Sequence, residues 1–126
     1  MKVPILKLHD VLLTSIQIDL TDQEASEFQS DVLRKVKETE TKGIVIDITA
    51  LDVVDSYMAK VLNDTANMVR LLGAEVVVTG MQPNVALALT EMGRELVGVK
   101  TALNLELGLK KIHELIAAQQ RGDGDE

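Results

Sequence analysis

Two runs of β-branched residues, Ile44-Val45-Ile46-Asp47-Ile48 and Val76-Val77-Val78, flank an amphipathic stretch that ends at Gly73. Near-continuous aliphatic runs of this length read as strands covered on both faces, as in parallel sheets. Between them Met58, Val61, Leu62, Thr65, Met68, Val69 and Leu72 recur at helical spacing. Gly73 is placed to end that helix in a left-handed conformation. Strand, helix and strand within roughly 35 residues form a βαβ unit, with parallel strands and a right-handed crossover.

A parallel pair needs cover on both faces, and the remaining segments supply it. Residues 5–8 and 11–18 are strand formers joined by His9-Asp10, which reads as a hairpin although the turn has neither Gly nor Asn. Thr21 and Glu24 form a capping box, after which Ala25, Phe28, Val32 and Val36 follow a helical period. Pro83 suits the first turn of a helix over residues 84–92, and residues 96–100 supply a last short strand. From Leu103 onward, Leu105, Leu109, Ile112 and Ile116 make a final helical stripe. The expected fold class is α/β: one ββαβαβαβα domain over residues 2–118, a mixed sheet packed with about four helices. Residues 119–126 form a tail whose last six positions have no apolar side chain to bury, so disorder is expected there.

Composition narrows the function. Apolar residues make up 46% of the chain while Phe28 and Tyr57 are the sole aromatic rings, so the core is aliphatic. A net charge of −7 repels phosphate backbones and anionic membranes, and no aromatic platform exists for stacking bases. Neither nucleic acid nor a membrane is an expected partner. There is no cysteine, and no apolar segment long enough for an export signal or a membrane helix, so a cytoplasmic location is expected.

Chemistry is expected where the strands end, in the loops over residues 49–54 and 80–82, because open α/β sheets place their sites at that edge. Asp55-Ser56-Tyr57 opens the central helix there. Ser56 is either the N-cap itself or, because Asp55 caps equally well, a first-turn residue whose hydroxyl is left over. In the second case it sits among backbone N–H groups that favour an anion, a good place for a regulatory phosphate. Tyr57 is either a half-buried core ring or, with Met58, part of an exposed docking patch. Asp47, Asp52 and Asp55 could converge, yet no histidine accompanies them and each is ordinary at a turn or cap, so no metal is expected. Thr79-Gly80 could meet a phosphate or a partner through backbone N–H groups. His9 reads as a turn residue and His113 as a helix-surface one, so Ser56 lacks a base and the chain reads as no enzyme and as needing no cofactor.

The order of elements, with Val45-Ile46-Asp47-Ile48 followed by Val54-Asp55-Ser56 at a helix start, resembles the STAS family of sulfate-transporter and anti-sigma-factor-antagonist domains. The likeness runs from residue 4 to about residue 116. Residues 4–17, the segment from Asp55 to Leu62, Leu72-Gly73-Ala74 and the segment from Val78 to Pro83 are similar to the scaffold subgroup of bacterial stressosomes. The simpler antagonists follow the serine with a small residue and a glycine, whereas Tyr57-Met58-Ala59 stands here. The resemblance implies a phosphoprotein that co-assembles with RsbR-like paralogues into homo-oligomers and large hetero-assemblies. It implies that an RsbT-like serine/threonine switch kinase is held until it phosphorylates Ser56, and that a PP2C-type phosphatase resets the state. Asp52 and Asp55 carry over as context for kinase docking. A stand-alone anti-sigma factor antagonist and a nucleotide-binding STAS module, using the loop at Thr79-Gly80, remain as alternatives.

Overall fold

The computed structural model describes residues 2–93 and 99–122. Its elements are β1 (Ile5–Leu8), β2 (Val11–Ser15), α1 (Asp22–Thr39), β3 (Gly43–Asp47), α2 (Ser56–Leu71), β4 (Glu75–Thr79), α3 (Pro83–Glu91), β5 (Lys100–Ala102) and α4 (Leu105–Gln120). They form a five-stranded sheet in the order β1-β2-β3-β4-β5, antiparallel only between β1 and β2. The expected ββαβαβαβα order and the mixed sheet are both present. Because the parallel strands advance one way across the sheet, crossovers of one hand place α1, α2 and α3 on a single face. There Leu12, Ile44, Ile46, Val76 and Val78 meet Phe28, Val32, Leu62, Val69, Val85 and Leu89. On the other face α4 lays Ile112 and Ile116 against Val11, Val45 and Val77.

Local chemistry explains the boundaries. The two-residue turn works without glycine because His9 itself takes a left-handed conformation, φ 58°. The Thr21–Glu24 capping box is made in both directions, at 3.1 and 2.9 Å. At the end of α2 the Gly73 amide donates to Arg70 O and the Ala74 amide to Val69 O, with Gly73 at φ 100°. That pair of bonds is a Schellman ending, as the glycine implied.

Two expectations need correction. The last strand is β5, which starts at the last residue of the expected strand over 96–100 and ends two residues beyond it. Two of its three residues are exposed and it is polar at Lys100 and Thr101, because an edge strand is held by its ladder and needs no apolar run. Residues 96–98 of the expected strand lie outside the described residues. Helix α4 continues through Gln120, so residues 119 and 120 belong to it, and 123–126 lie outside the described residues. Among the described residues no helix is long and apolar enough to cross a membrane.

Candidate functional site

The two loops expected to share an edge do touch. Gln82 Nε2 donates to Thr49 O at 2.8 Å, and the Ile48 amide donates to Thr79 O at 2.9 Å. Between them lies the carboxylate of Asp47, buried at the end of β3. Its Oδ1 accepts from the Thr79 hydroxyl at 2.7 Å and the Thr49 hydroxyl at 2.9 Å. Its Oδ2 accepts from the Ser15 hydroxyl at 3.3 Å and the Thr49 amide at 3.4 Å. Asp47 therefore serves hydroxyls on β2, β4 and the loop, which meets the rule that a buried charge must be hydrogen-bonded. Among the described residues no group of three His, Cys, Asp or Glu is placed to hold a metal.

Beyond Thr49 the chain turns back, with the Leu51 amide on Ile48 O at 3.0 Å, and buries Leu51 and Val54 under the loop. Asp55 follows in extended conformation as the N-cap of α2, its Oδ1 accepting from the Met58 amide at 2.8 Å. This resolves the ambiguity at Ser56. Asp55 supplies the cap, and Ser56 is the first helical residue, exposed, its hydroxyl not needed to start the helix. The amides of a helix's first turn have no intrahelical acceptor and Asp55 takes only that of Met58, so partial positive charge lies beside that hydroxyl. Asp52 and Asp55 are exposed around it.

Tyr57 shares this surface at 38% exposed, but Met58 does not: it is 8% exposed. Helical spacing decides this, since Met58 stands three and four residues before Val61 and Leu62 and faces the core with them. Of the two residues expected to form an exposed patch, only Tyr57 is exposed; Val53, three residues before Ser56, is also a large exposed aliphatic. Met58 instead floors a shallow cleft of about 180 Å³ whose other walls are Asp19, Leu20, Leu51, Val53 and Asp55. Asp19 and Leu20 come from the β2–α1 connection, which sequence reasoning passed over. Their signal was weak, a lone Ile18-Asp19-Leu20 ahead of the capping box.

Thr79 and Gly80 also differ from expectation. The Thr79 side chain is fully buried on Asp47, and the Gly80 amide donates to Ala102 O at 3.2 Å. Neither presents a free donor to a phosphate, because β5 pairs across them. Both histidines lie at the opposite end of the sheet. His9 sits in the β1–β2 turn and His113 Nε2 is 3.8 Å from Asp10 Oδ1. The length of β2 alone is about 16 Å, so neither is within reach of Ser56.

A five-stranded sheet with three crossover helices on one face, one helix on the other and an exposed serine opening the second helix defines a class. The STAS domain family model matches residues 2–106, and the chain belongs to that family. It is similar, at 43% identity and a TM-score of 0.83, to a serine-to-glutamate variant of RsbS from Moorella thermoacetica, covering 91% of this chain and 97% of that one. A chain from a structure described as the molecular architecture of the stressosome, a signal integration and transduction hub, is 45% identical with a TM-score of 0.80, over 89% and 97% of the two chains. The RsbT co-antagonist protein RsbRA of Bacillus subtilis (strain 168) is 28% identical over 93 residues, 74% of this chain. The chain spans about a third of that relative's length, 34%.

Proposed function

We propose that this chain is a non-enzymatic phospho-switch scaffold of a stressosome, of the RsbS kind, working in the cytoplasm. Ser56 takes the phosphate from an RsbT-like serine/threonine kinase that the unmodified surface holds, and a PP2C-type phosphatase removes it. RsbR-like STAS paralogues are its assembly partners. The observation that carries this reading is Ser56 at the first position of α2, exposed, with its capping duty taken by Asp55. The likeness to RsbS and to the stressosome chain supports the assembly.

The physics says where the switch acts. A phosphate adds about −1.5 to −2 charges, which the α2 N-terminus stabilises by roughly 0.3–1 kcal/mol. Asp52 and Asp55 oppose it by about 1 kcal/mol per unit charge at contact distance in water. Within the fold these oppose each other, and solvent and salt screen the repulsion from the two exposed aspartates below that contact value, so the net cost is modest. In a desolvated interface an unpaired charge costs on the order of 2–5 kcal/mol. Phosphorylation therefore acts on binding more than on folding.

The test is mass spectrometry after incubation with an RsbT-class kinase and ATP. One phosphate is expected on the wild-type chain and none on Ser56→Ala; equal phosphorylation of the variant overturns the assignment. Light scattering of the chain with an RsbR-like paralogue tests assembly. A monomer under every mixing condition favours the stand-alone antagonist instead.

A further inference from the structure

Beneath the loop that carries Ser56, a single carboxylate receives four donors from three separate parts of the chain. We infer that Asp47 is the positioning residue of that loop, holding residues 49–55 through Thr49 in the one arrangement that presents Ser56. For its consequence on phosphorylation this rests on the reading of Ser56 as the acceptor; the pinning of the loop stands on geometry alone.

An ionised carboxylate accepts about four hydrogen bonds, and the four to Asp47 use that capacity inside the protein. Two of the four come from Thr49, by its hydroxyl and its amide. The bond from Thr79 joins β3 to β4, and the one from Ser15 joins β2 to β3, strands already tied by their backbone ladders. The Thr49 bonds add to no ladder. What they hold is the second residue after β3, an exposed position whose only other tie among the described residues is Gln82 on its carbonyl.

Gly80 supports the same geometry. It takes φ 75°, and a Cβ there would lie 1.9 Å from the Thr49 hydroxyl oxygen. The hydroxyl thus occupies room that only a glycine leaves. With Gln82 on its carbonyl, Thr49 is held at side chain, amide and carbonyl together. The far end of the loop is fixed by the Asp55 cap and by buried Leu51 and Val54. A loop fixed at both ends has one way to offer its serine. Loosening Thr49 should leave a partner's docking surface in place while blurring the position of the hydroxyl, an effect on kcat more than on KM.

The experiment compares full-length wild type, Thr49→Val and Thr49→Ser. Valine keeps the shape of threonine without the hydroxyl, Ser15 and Thr79 still donate to Asp47, and unchanged exchange in β3 and β4 checks that the fold is kept. With an RsbT-class kinase and ATP, Thr49→Val should lower kcat for Ser56 at least tenfold with KM within twofold, and Thr49→Ser should restore it. Hydrogen exchange, which needs no partner, should be at least tenfold faster for amides 49–56 in Thr49→Val and unchanged in β3 and β4. Wild-type kcat in Thr49→Val, unchanged exchange in the loop, or a loss that serine does not restore would each overturn the inference. If the wild type takes no phosphate on Ser56, the proposed function fails; the exchange comparison then decides alone, faster loop exchange sustaining the role of Asp47 and unchanged exchange ending it.

Discussion

Helices α2 and α4 begin alike and do different things. Each starts at the end of the sheet where the strands finish, and each is capped by an Asx side chain, Asp55 onto the Met58 amide at 2.8 Å and Asn104 onto the Leu107 amide at 2.9 Å. The dipole at the two starts is therefore the same. The first helical residue differs: Ser56 is exposed, while Leu105 packs against the Val45 and Val77 cluster. The approach differs too. Residues 48–55 lead into α2 over buried Leu51 and Val54, whereas only Leu103 and Asn104 separate β5 from α4. The fourth position carries the contrast further, with Ala59 in α2 and Gly108 in α4, where a Cβ would fall 2.1 Å from Thr79 Cγ2. A helix N-terminus is common property of the fold; the two starts differ in the length and pinning of the loop that precedes them.

The largest effect should come from charge at the exposed start. Ser56→Asp is expected to weaken capture of an RsbT-class kinase in a pull-down by about thirtyfold to several thousandfold, from about 2–5 kcal/mol of unpaired charge in the interface. Its melting temperature should stay within about 3 °C of wild type, because the dipole offsets the added repulsion. A large loss of stability with unchanged capture would erase the distinction between the two helix starts.

Next is the close seating of α4. In an ordinary helix Gly→Ala gains about 1 kcal/mol, but overpacking a filled site costs about 1–3 kcal/mol. Gly108→Ala should therefore lower the melting temperature in calorimetry by several degrees. A rise would mean that α4 sits no closer to the sheet than α2.

The caps give a matched pair. Asp55→Ala and Asn104→Ala should each cost about 1 kcal/mol, a shift of about 3–5 °C. Only Asp55→Ala should also slow phosphorylation of Ser56. An equal slowing by Asn104→Ala would show that the readout follows stability alone.

The smallest effect lies on α1, at a charge cluster that touches neither cap. Asp31 pairs with Arg34 at 2.9 Å and Lys2 at 3.3 Å. Burial pushes its carboxyl up, but hydrogen bonds and charge from Arg34 and Lys2 outweigh that and hold it below the ordinary 3.8. A depressed pKa means stabilisation that is present above about pH 4 and lost as the pH falls below it. Asp31→Asn should flatten that acid limb by less than about 1 kcal/mol in denaturant melts, with no change at Ser56.

Much of this architecture was legible beforehand because period and capping are local. The β-branched runs, the Thr21–Glu24 box and Gly73 each act within a turn or a strand, and each stands where its residues implied. Ser56 was legible as one of two possibilities. Met58 illustrates how a pattern was available yet overruled by an attractive neighbour: its helical register with Val61 and Leu62 placed it in the core, and proximity to Tyr57 suggested a surface.

By itself the sequence determined the α/β class, the order of elements, the aliphatic core and the acidic edge around Ser56, because hydrophobic period and charge are properties of short windows. Only the tertiary structure decided that Asp47 spends its carboxylate on Ser15, Thr49 and Thr79, that Thr79 is buried, and that Asp19 and Leu20 wall the cleft beside Asp55. Thr49 is a near neighbour of Asp47, but Ser15 and Thr79 each lie 32 residues from it and meet it only when parallel strands align, so no local signal could carry that partnership.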